Sequence, residues 1–481
     1  MIKEELSKIV GSENIFDDTG TLKNYSQDAS LGPFKSPNFV VTPGNTQEVQ
    51  KIAELATTHS FPIIPVSSGV HFYGNTLPEQ GGIILDLKRL NEIFKADERN
   101  RAARIGPGVG WGTLQEELKK HNLRALNPLL PHKLKSALSS SLEREPMLIP
   151  KTEYGEPILT MEAVMPNGEV FRTGSAAAGP PDTTELDLVA PSGPGLDFFR
   201  LFQGAQGTFC IVTWANVKAI PLPKAEKYFY LPFNKTEVGI ELMYAIQRKM
   251  IGAESLILNR FNLALIFSEK WPGDFEKLKK NLPPWVIIQC LSGGERFPEE
   301  KIAYEEEVLN EIGKGLGVEP SGNFQELCNS KKSISDVLRK PWEEEPYWKE
   351  RYKGGSSNIF FYTTLNRIPE FVSMIDNYAD SNGYAQEEIG YYIQPVERGR
   401  ACFLECNFSY DPKKTDECEN ALQFHTQLSE ILFDRGAVFA GPYGSWSDLV
   451  YGRNIALTNV LKELKGVFDP HNIMNPGKLC F

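Results

Sequence analysis

The sequence predicts an α+β protein, with an α/β layer in its N-terminal part and an antiparallel sheet beyond it. Three observations carry this. Residues 39–112 run strand, helix, strand, loop, strand. Pro221-Leu222-Pro223 then interrupts the chain. Residues 391–396 and 401–410 read as a hairpin around Glu397-Arg398-Gly399-Arg400.

The N-terminal elements follow in order. Phe39-Val40-Val41 is a short strand stopped by Pro43-Gly44. Asn45 can cap a helix, Glu48 stands at the third helical position, and Val49, Ile52, Ala53 and Ala56 form its apolar stripe. Residues 63–66 and 83–87 are strands, and a small-residue loop, 67–75, lies between them. A strand ends at Ile105, and Thr113 with Glu116 starts another helix. Residues 125–155 are rich in Pro, Ser and Lys without a clean period, so they read as a long loop. Strand-like runs fill 158–220. Beyond the Pro-Leu-Pro stop, residues 358–363 read as a strand, 369–378 and 419–433 as helices, and 440–481 as a tail too short for a domain.

At 481 residues the chain is too long for one core of usual size. With 41% hydrophobic and 11% aromatic residues it buries a substantial core. A formal charge of −11 and no Lys/Arg block argue against a nucleic-acid partner. The seven cysteines are odd in number and form no CxxC, and the six histidines are dispersed, so no metal site is expected. Cys402 and Cys406 read as small buried residues of a strand. No run is long enough for a transmembrane segment, and the start lacks a secretory core, so a cytoplasmic location is expected.

Two glycine-rich stretches invite a nucleotide reading. Residues 106–112, GPGVGWG, fail the GxGxxG spacing because Trp111 stands at the last glycine's place. In the loop 67–75, Ser67, Ser68 and Gly69 are small enough for backbone N–H groups to approach an anion. The residues alone leave an anion nest and a plain connecting loop open.

Taken in order, four segments become recognisable. Residues 65–87 (PVSSGVHFYGNTLPEQGGIILDL) with 104–109 resemble the FAD-binding domain of the vanillyl-alcohol oxidase / p-cresol methylhydroxylase flavoprotein superfamily, the PCMH type. Residues 43–49 resemble its first strand-to-helix turn. Residues 201–213 (LFQGAQGTFCIVT) resemble its GxxGTxGIVT segment, with Cys210 for the usual glycine. Residues 467–478 (VFDPHNIMNPGK) resemble its C-terminal DPxxIxNPGK. The resemblance implies a two-subdomain FAD-binding domain over 1–222 and an α+β cap domain with an antiparallel sheet over 223–440. It places residues 441–481 back on the FAD domain.

The resemblance also implies site residues. FAD is held by Ser67, Ser68, Gly69, Val70, Gly74 and Asn75 of the first loop, by Pro107, Gly108 and Val109, and by Gly204, Gly207, Thr208, Ile211 and Val212. The tail adds Asn475 and Lys478, and the middle loop offers Lys135, Ser136 and Ser139. His71 stands where berberine-bridge relatives attach flavin covalently. This chain has SSGVH for their RSGGH, so noncovalent FAD is favoured and a link through His71 is the alternative.

Alternation places Cys402, Leu404, Cys406 and Phe408 on one hairpin face and Phe403, Glu405 and Asn407 on the other, with Tyr392 and Gln394 sharing a side of the partner strand. As a roof over the flavin this face supplies Tyr392 and Glu405 as catalytic candidates and Gln394 and Asn407 as substrate contacts. Tyr443 and Tyr451 are further substrate contacts. Arg453 suits a substrate carboxylate, against a surface reading. His425 lies on a stripe with Ala421, Leu422, Leu428 and Leu432, and reads first as a core residue, second as a general base.

The expected function is that of an oxidoreductase on CH–OH donors. It moves a hydride from a 2-hydroxy acid or an aromatic alcohol to flavin, and electrons go on to a partner subunit or a quinone. The alternatives are an oxygen-using phenol oxidase and a non-catalytic electron-relay subunit. A homodimer is expected by family analogy.

Overall fold

Three sheets organise the chain in the computed structural model, which describes residues 2–151, 156–178, 186–323 and 332–481. Cys328 and the end of the 125–155 loop lie outside the described residues.

The first sheet has the order β1-β2-β4-β3, formed by Ile15–Phe16, Phe39–Val41, Ile83–Asp86 and Ile63–Val66. Its last three strands are parallel. Parallel pairing requires a crossover, which the helix Thr46–His59 supplies. Asn45 Oδ1 accepts from the Glu48 amide at 2.9 Å, and the Glu48 carboxylate accepts from the Gly44 amide at 2.7 Å, so the helix start is satisfied reciprocally. Val49, Ile52, Ala53 and Ala56 are fully buried against the sheet.

The second sheet is antiparallel, in the order β5-β6-β10-β8-β9, with β7 also on β10. These strands are Ile93–Asp97, Ala102–Ile105, Ile211–Pro221, Ile158–Val164 and Val170–Arg172, with β7 at Leu123–Ala125. The next helix is Trp111–Lys120, two residues earlier than the Thr113 start expected, because the extended Gly110 already provides the cap. The expected long loop also contains a helix, Ala137–Leu142. Ser136 Oγ accepts from the Ser139 amide there at 3.2 Å, a short capped turn that leaves no apolar period to read.

The third sheet is wholly antiparallel, in the order β11-β13-β12-β15-β16-β14. Its strands are Ala225–Phe233, Trp285–Gly293, Ser255–Asn259, Ile389–Val396, Ala401–Tyr410 and Gly355–Thr363. The hairpin register pairs Tyr392 with Glu405 and Gln394 with Phe403. Glu397 and Arg398 hold φ of 47° and 58° in its turn. The alternation is realised: Cys402, Leu404, Cys406 and Phe408 join the core beneath the helices Ile368–Ser381 and Thr415–Asp434, whereas Tyr392 and Phe403 belong to the opposite cluster. Leu422 is exposed, off the stripe assigned to it.

The tail returns to the first sheet. The Ile63 amide donates to the Ile473 carbonyl and the Asn475 amide to the Ile63 carbonyl, both at 2.8 Å. Lys465, which nothing in the sequence reading singled out, anchors this return. Its buried ammonium donates to the Thr208 carbonyl at 2.5 Å, the Asp469 carboxylate at 2.7 Å and the Met474 carbonyl at 2.9 Å. Among the described residues no helix is long and apolar enough to cross a membrane.

A buried charge cluster ties the second sheet to the third. Glu254 pairs with Arg124 of β7 and with Arg339, at 3.4 Å, of the helix Ile334–Arg339. Burial alone raises a carboxyl pKa, but Arg124 and Arg339 outweigh it and hold Glu254 at about 2. Its depressed pKa means this contribution to stability is complete above the ordinary carboxyl range and is lost as pH falls from about 4.5 toward 2. Glu254→Gln removes the carboxylate paired with Arg124 and leaves Arg339 to Glu226, and is expected to destabilise the fold by about 3–5 kcal/mol at neutral pH. Denaturant titration checks this, and the gap between variant and wild type should shrink below pH 4.5.

Candidate functional site

Loop 67–75 leaves β3 at the edge of the first sheet and is fixed at several points. Asp28 Oδ2 accepts from the Gly74 amide at 2.8 Å, and the His71 carbonyl accepts from the Ala29 amide at 3.2 Å. The Asn75 side chain donates to Glu143 at 3.1 Å. Beside this loop lies a cavity of about 810 Å³. Ser67, His71, Asn75, Pro107, Ser139, Gly204, Gly207 and Val212 all line it. Gly204 and Gly207 have φ of 76° and 72°, and a Cβ on Gly207 would stand 3.1 Å from Pro65. Any side chain there is strained and crowds the cavity wall. Nothing lies within 4 Å of a Cβ on Gly69.

The remaining cofactor candidates are placed otherwise. Ser68 is buried with no partner for its hydroxyl among the described residues, and Val70 is half-buried in the same loop. Gly74 and Lys478 face a different, outer cavity, where Lys478 pairs with Glu79. Gly108 packs against backbone, its Cβ position 2.6 Å from the Lys88 carbonyl oxygen, and Val109 and Ile211 are core residues. Thr208 is buried and bonds the Ala205 carbonyl. Ser136 caps its helix and is fully buried. Asn475 donates to the Asn75 and Gln206 carbonyls at 2.9 and 2.7 Å, a clasp between segments, while its Oδ1 is buried and unpartnered among the described residues. Lys135 is not a phosphate donor here. Burial lowers its ammonium pKa, but Glu145 and Glu143 more than reverse this, and the charge stays on a buried ion cluster.

A second cavity of about 870 Å³ adjoins the first, and Glu143 and Tyr443 line both. Tyr392 and Glu405 reach it from the hairpin roof, as the alternation expects. Its other walls are aromatic and were missed: Phe72 and Tyr73 from the first loop, Tyr347 and Trp348, Phe360 and Tyr362 of β14, and Phe403. Phe72 and Tyr73 lie inside the recognisable loop and were within reach of the sequence. Residues 347–349 carry no pattern that signals a site. Lys349 neutralises Glu405, and Asn407 Nδ2 donates to the same carboxylate at 2.5 Å.

Five residues of the substrate and catalytic sets lie outside this cavity. Gln394 is fully buried and donates to the Leu148, Ser255 and Pro395 carbonyls, so it holds strands together. Asn407 supports Glu405 from behind and donates to Asn358 at 2.7 Å. Tyr451 is half-buried on the helix Ser445–Arg453 and does not line it. Arg453 is exposed and paired with Asp434 on the surface, the reading that prevails for it. His425 lines the outer cavity instead, so its general-base role is withdrawn.

Five tyrosines face the aromatic cavity. Tyr347, Tyr362 and Tyr392 each donate their hydroxyl, to the Leu130 carbonyl, the Arg144 carbonyl and Gln394 Oε1 respectively. Tyr73 and Tyr443 stack on one another with ring centroids 4.9 Å apart and 22° between planes. Among the described residues neither hydroxyl has a hydrogen-bond partner. Burial, followed by nearby carboxylates, pushes both phenols well above their ordinary pKa, so both remain protonated donors.

Residues 37–136 match the FAD binding domain family, and residues 448–479 match the C-terminal domain of FAD linked oxidases. The chain is 26% identical to the glycolate oxidase subunit GlcD of Bacillus subtilis, over 99% of this chain and 96% of that one. It is 27% identical to the flavoprotein subunit of 4-cresol dehydrogenase [hydroxylating] of Pseudomonas putida, over 99% and 94%. Among solved structures, p-cresol methylhydroxylase superposes with a TM-score of 0.86 at 19% identity, covering 100% of this chain and 96% of that one. The 4-ethylphenol oxidase of Gulosibacter chungangensis gives 0.85 at 19%, covering 99% and 96%. The fold is thus that of the PCMH-type flavoproteins, and the chain is an FAD-linked oxidoreductase.

The 810 Å³ cavity suits FAD on its own chemistry. It offers a small-residue loop and two left-handed glycines, at one of which a Cβ would crowd Pro65. Among the described residues no group of three His, Cys, Asp or Glu is placed to hold a metal. Gly207→Val is expected to yield folded protein without the yellow colour of bound flavin, checked by the visible spectrum. Acid precipitation of the wild type is expected to release the flavin to the supernatant, because the His71 imidazole is turned onto the Ser68 carbonyl.

Proposed function

We propose that this FAD-linked oxidoreductase oxidises a para-alkylphenol at the benzylic carbon of its para substituent, the aromatic branch of the hydroxylated substrates expected of it. The observation that carries this is the Tyr73–Tyr443 pair, two protonated hydroxyls without a hydrogen-bond partner among the described residues, on rings that line an aromatic cavity. A hydroxyl that donates to the substrate oxygen stabilises a phenolate far better than a neutral phenol. A phenolate pushes electron density through the ring to its para position, so a hydride leaves more readily from the benzylic carbon attached there.

Bound FAD supplies the two-electron acceptor for that hydride. The chain's residues do the rest. Phe72, Tyr347, Trp348, Phe360 and Phe403 give a ring-shaped, largely apolar slot that orients the substrate and excludes water. Glu405, held by Lys349 and Asn407, is the base placed to take the phenolic or product proton.

A 2-hydroxy acid fits less well. Its carboxylate needs an uncommitted cation, yet Lys135 is held by Glu143 and Glu145, and Lys349 by Glu405. Arg144 lines the cavity outside any ion pair among the described residues, but it is exposed and one of its nitrogens donates to the Gln203 carbonyl. Two relatives are named as subunits, which supports electron transfer to a partner protein after substrate oxidation.

Anaerobic mixing tests the reading. 4-Methylphenol or 4-ethylphenol is expected to bleach the flavin absorbance, and D-lactate and glycolate to leave it unchanged; bleaching by the hydroxy acids alone would overturn it. Tyr73→Phe and Tyr443→Phe are each expected to lower kcat/KM for the phenol by about tenfold or more, the loss of one hydrogen bond to a charged oxygen, with flavin content intact.

A further inference from the structure

Behind the Tyr73–Tyr443 pair lies a cavity of about 1320 Å³ that the oxidation does not use. Phe72, Tyr73, Asn358 and Tyr443 line both it and the aromatic cavity, so the two spaces share one wall. Its far side is a fixed platform. The Trp446 indole is buried and donates to Ser429 Oγ at 2.7 Å, and the His425 ring stacks on it with centroids 5.2 Å apart and 14° between planes.

His425 is held in register by Ser357 Oγ, 3.1 Å from Nδ1. Among the described residues Nε2 has no hydrogen-bond partner, although the residue lines the cavity. Burial drops its pKa to about 4, so the ring is neutral near pH 7 and offers an uncharged polar contact. The charged groups at the other end answer one another: Lys35 and Lys478 share Glu79, and Asp448 also lines the space. A flat aromatic platform beside one oriented nitrogen and a balanced set of charges recognises a flat, uncharged, polar-edged molecule.

We propose that this outer cavity is a second ligand site, taking an uncharged planar ring that carries oxygen, with the ring on the Trp446–His425 platform and an oxygen at His425 Nε2. Two molecules share that chemistry: a quinone, which would be an electron acceptor, and a phenol, which would be substrate waiting outside the Tyr73–Tyr443 wall. The site stands whichever substrate the inner cavity takes.

Titration calorimetry on the FAD-loaded protein, with duroquinone and 4-methylphenol as separate probes, tests it. Occupancy of the inner cavity is followed independently by perturbation of the flavin spectrum. His425→Phe keeps a ring on Trp446 and removes Nε2, and Leu422→Trp adds bulk at an exposed position on the cavity lining. Saturable binding of at least one probe without a flavin perturbation is expected, weakened about tenfold or more in either variant, while the spectral titration of the inner cavity is unchanged. Binding of duroquinone alone identifies an acceptor site, and binding of the phenol identifies an antechamber. No saturable binding outside the inner cavity, or binding that both variants leave untouched, would overturn the proposal.

Discussion

Asn475 is the interaction on which the flavin cavity depends. Its side-chain amide reaches the Asn75 carbonyl of the first loop and the Gln206 carbonyl of the left-handed glycine turn, partners 400 and 269 residues away in sequence. Both Asn75 and Gln206 line the same cavity. Its backbone amide meanwhile joins β3. The residue sits at a φ of 39°, a conformation that asparagine tolerates better than most side chains. Lys465 and Asp469 hold the preceding turn from inside, so the clasp does not rest on a frayed end. A ligand bound between those walls stabilises the docked tail, and the docked tail builds the walls; binding and tail docking are linked equilibria.

The neighbouring aromatic cavity obeys a second constraint. A dry space next to a redox cofactor tolerates charge only where the charge is answered. The pairing of Lys135 with Glu143 and Glu145, and of Lys349 with Glu405, meets that requirement. Once these groups are committed, the Tyr73 and Tyr443 hydroxyls and the exposed Arg144 remain to meet a substrate. Specificity then follows from what is not neutralised rather than from the most strongly charged residues on the wall.

That ordering explains which parts of the site were legible in the sequence. The helix at 46–59, the strand pairs around it and the alternation of the 401–410 strand could be read, because each rests on local periodicity and caps. Ser67 was read from a loop of small residues, and His71 and Gly207 came from the family resemblance; all three line the same cavity. Arg453 and His425 were misplaced for the opposite reason. A charge or an imidazole looks equally functional on either side of a helix, and only tertiary packing put Arg453 beside Asp434 and His425 against Trp446. Tyr347, Trp348 and Lys349 left no signal, since an irregular segment gains its place only from what it packs against.

Tyr73 and Tyr443 also show why one wall can serve two spaces. Each ring separates the inner cavity from the outer one, and each is wedged by Phe360, which is itself packed on Trp446. Close packing makes such a ladder stiff, so a ring on either side meets a surface defined by its neighbours rather than one free to yield. Stiffness fixes the two hydroxyls for a substrate oxygen and keeps the Trp446–His425 platform flat. It also means that traffic between the cavities requires the tyrosine pair to part, and that separation costs the stacking and the burial of both rings at once. The same contact therefore sets the precision of the inner site and the barrier around it.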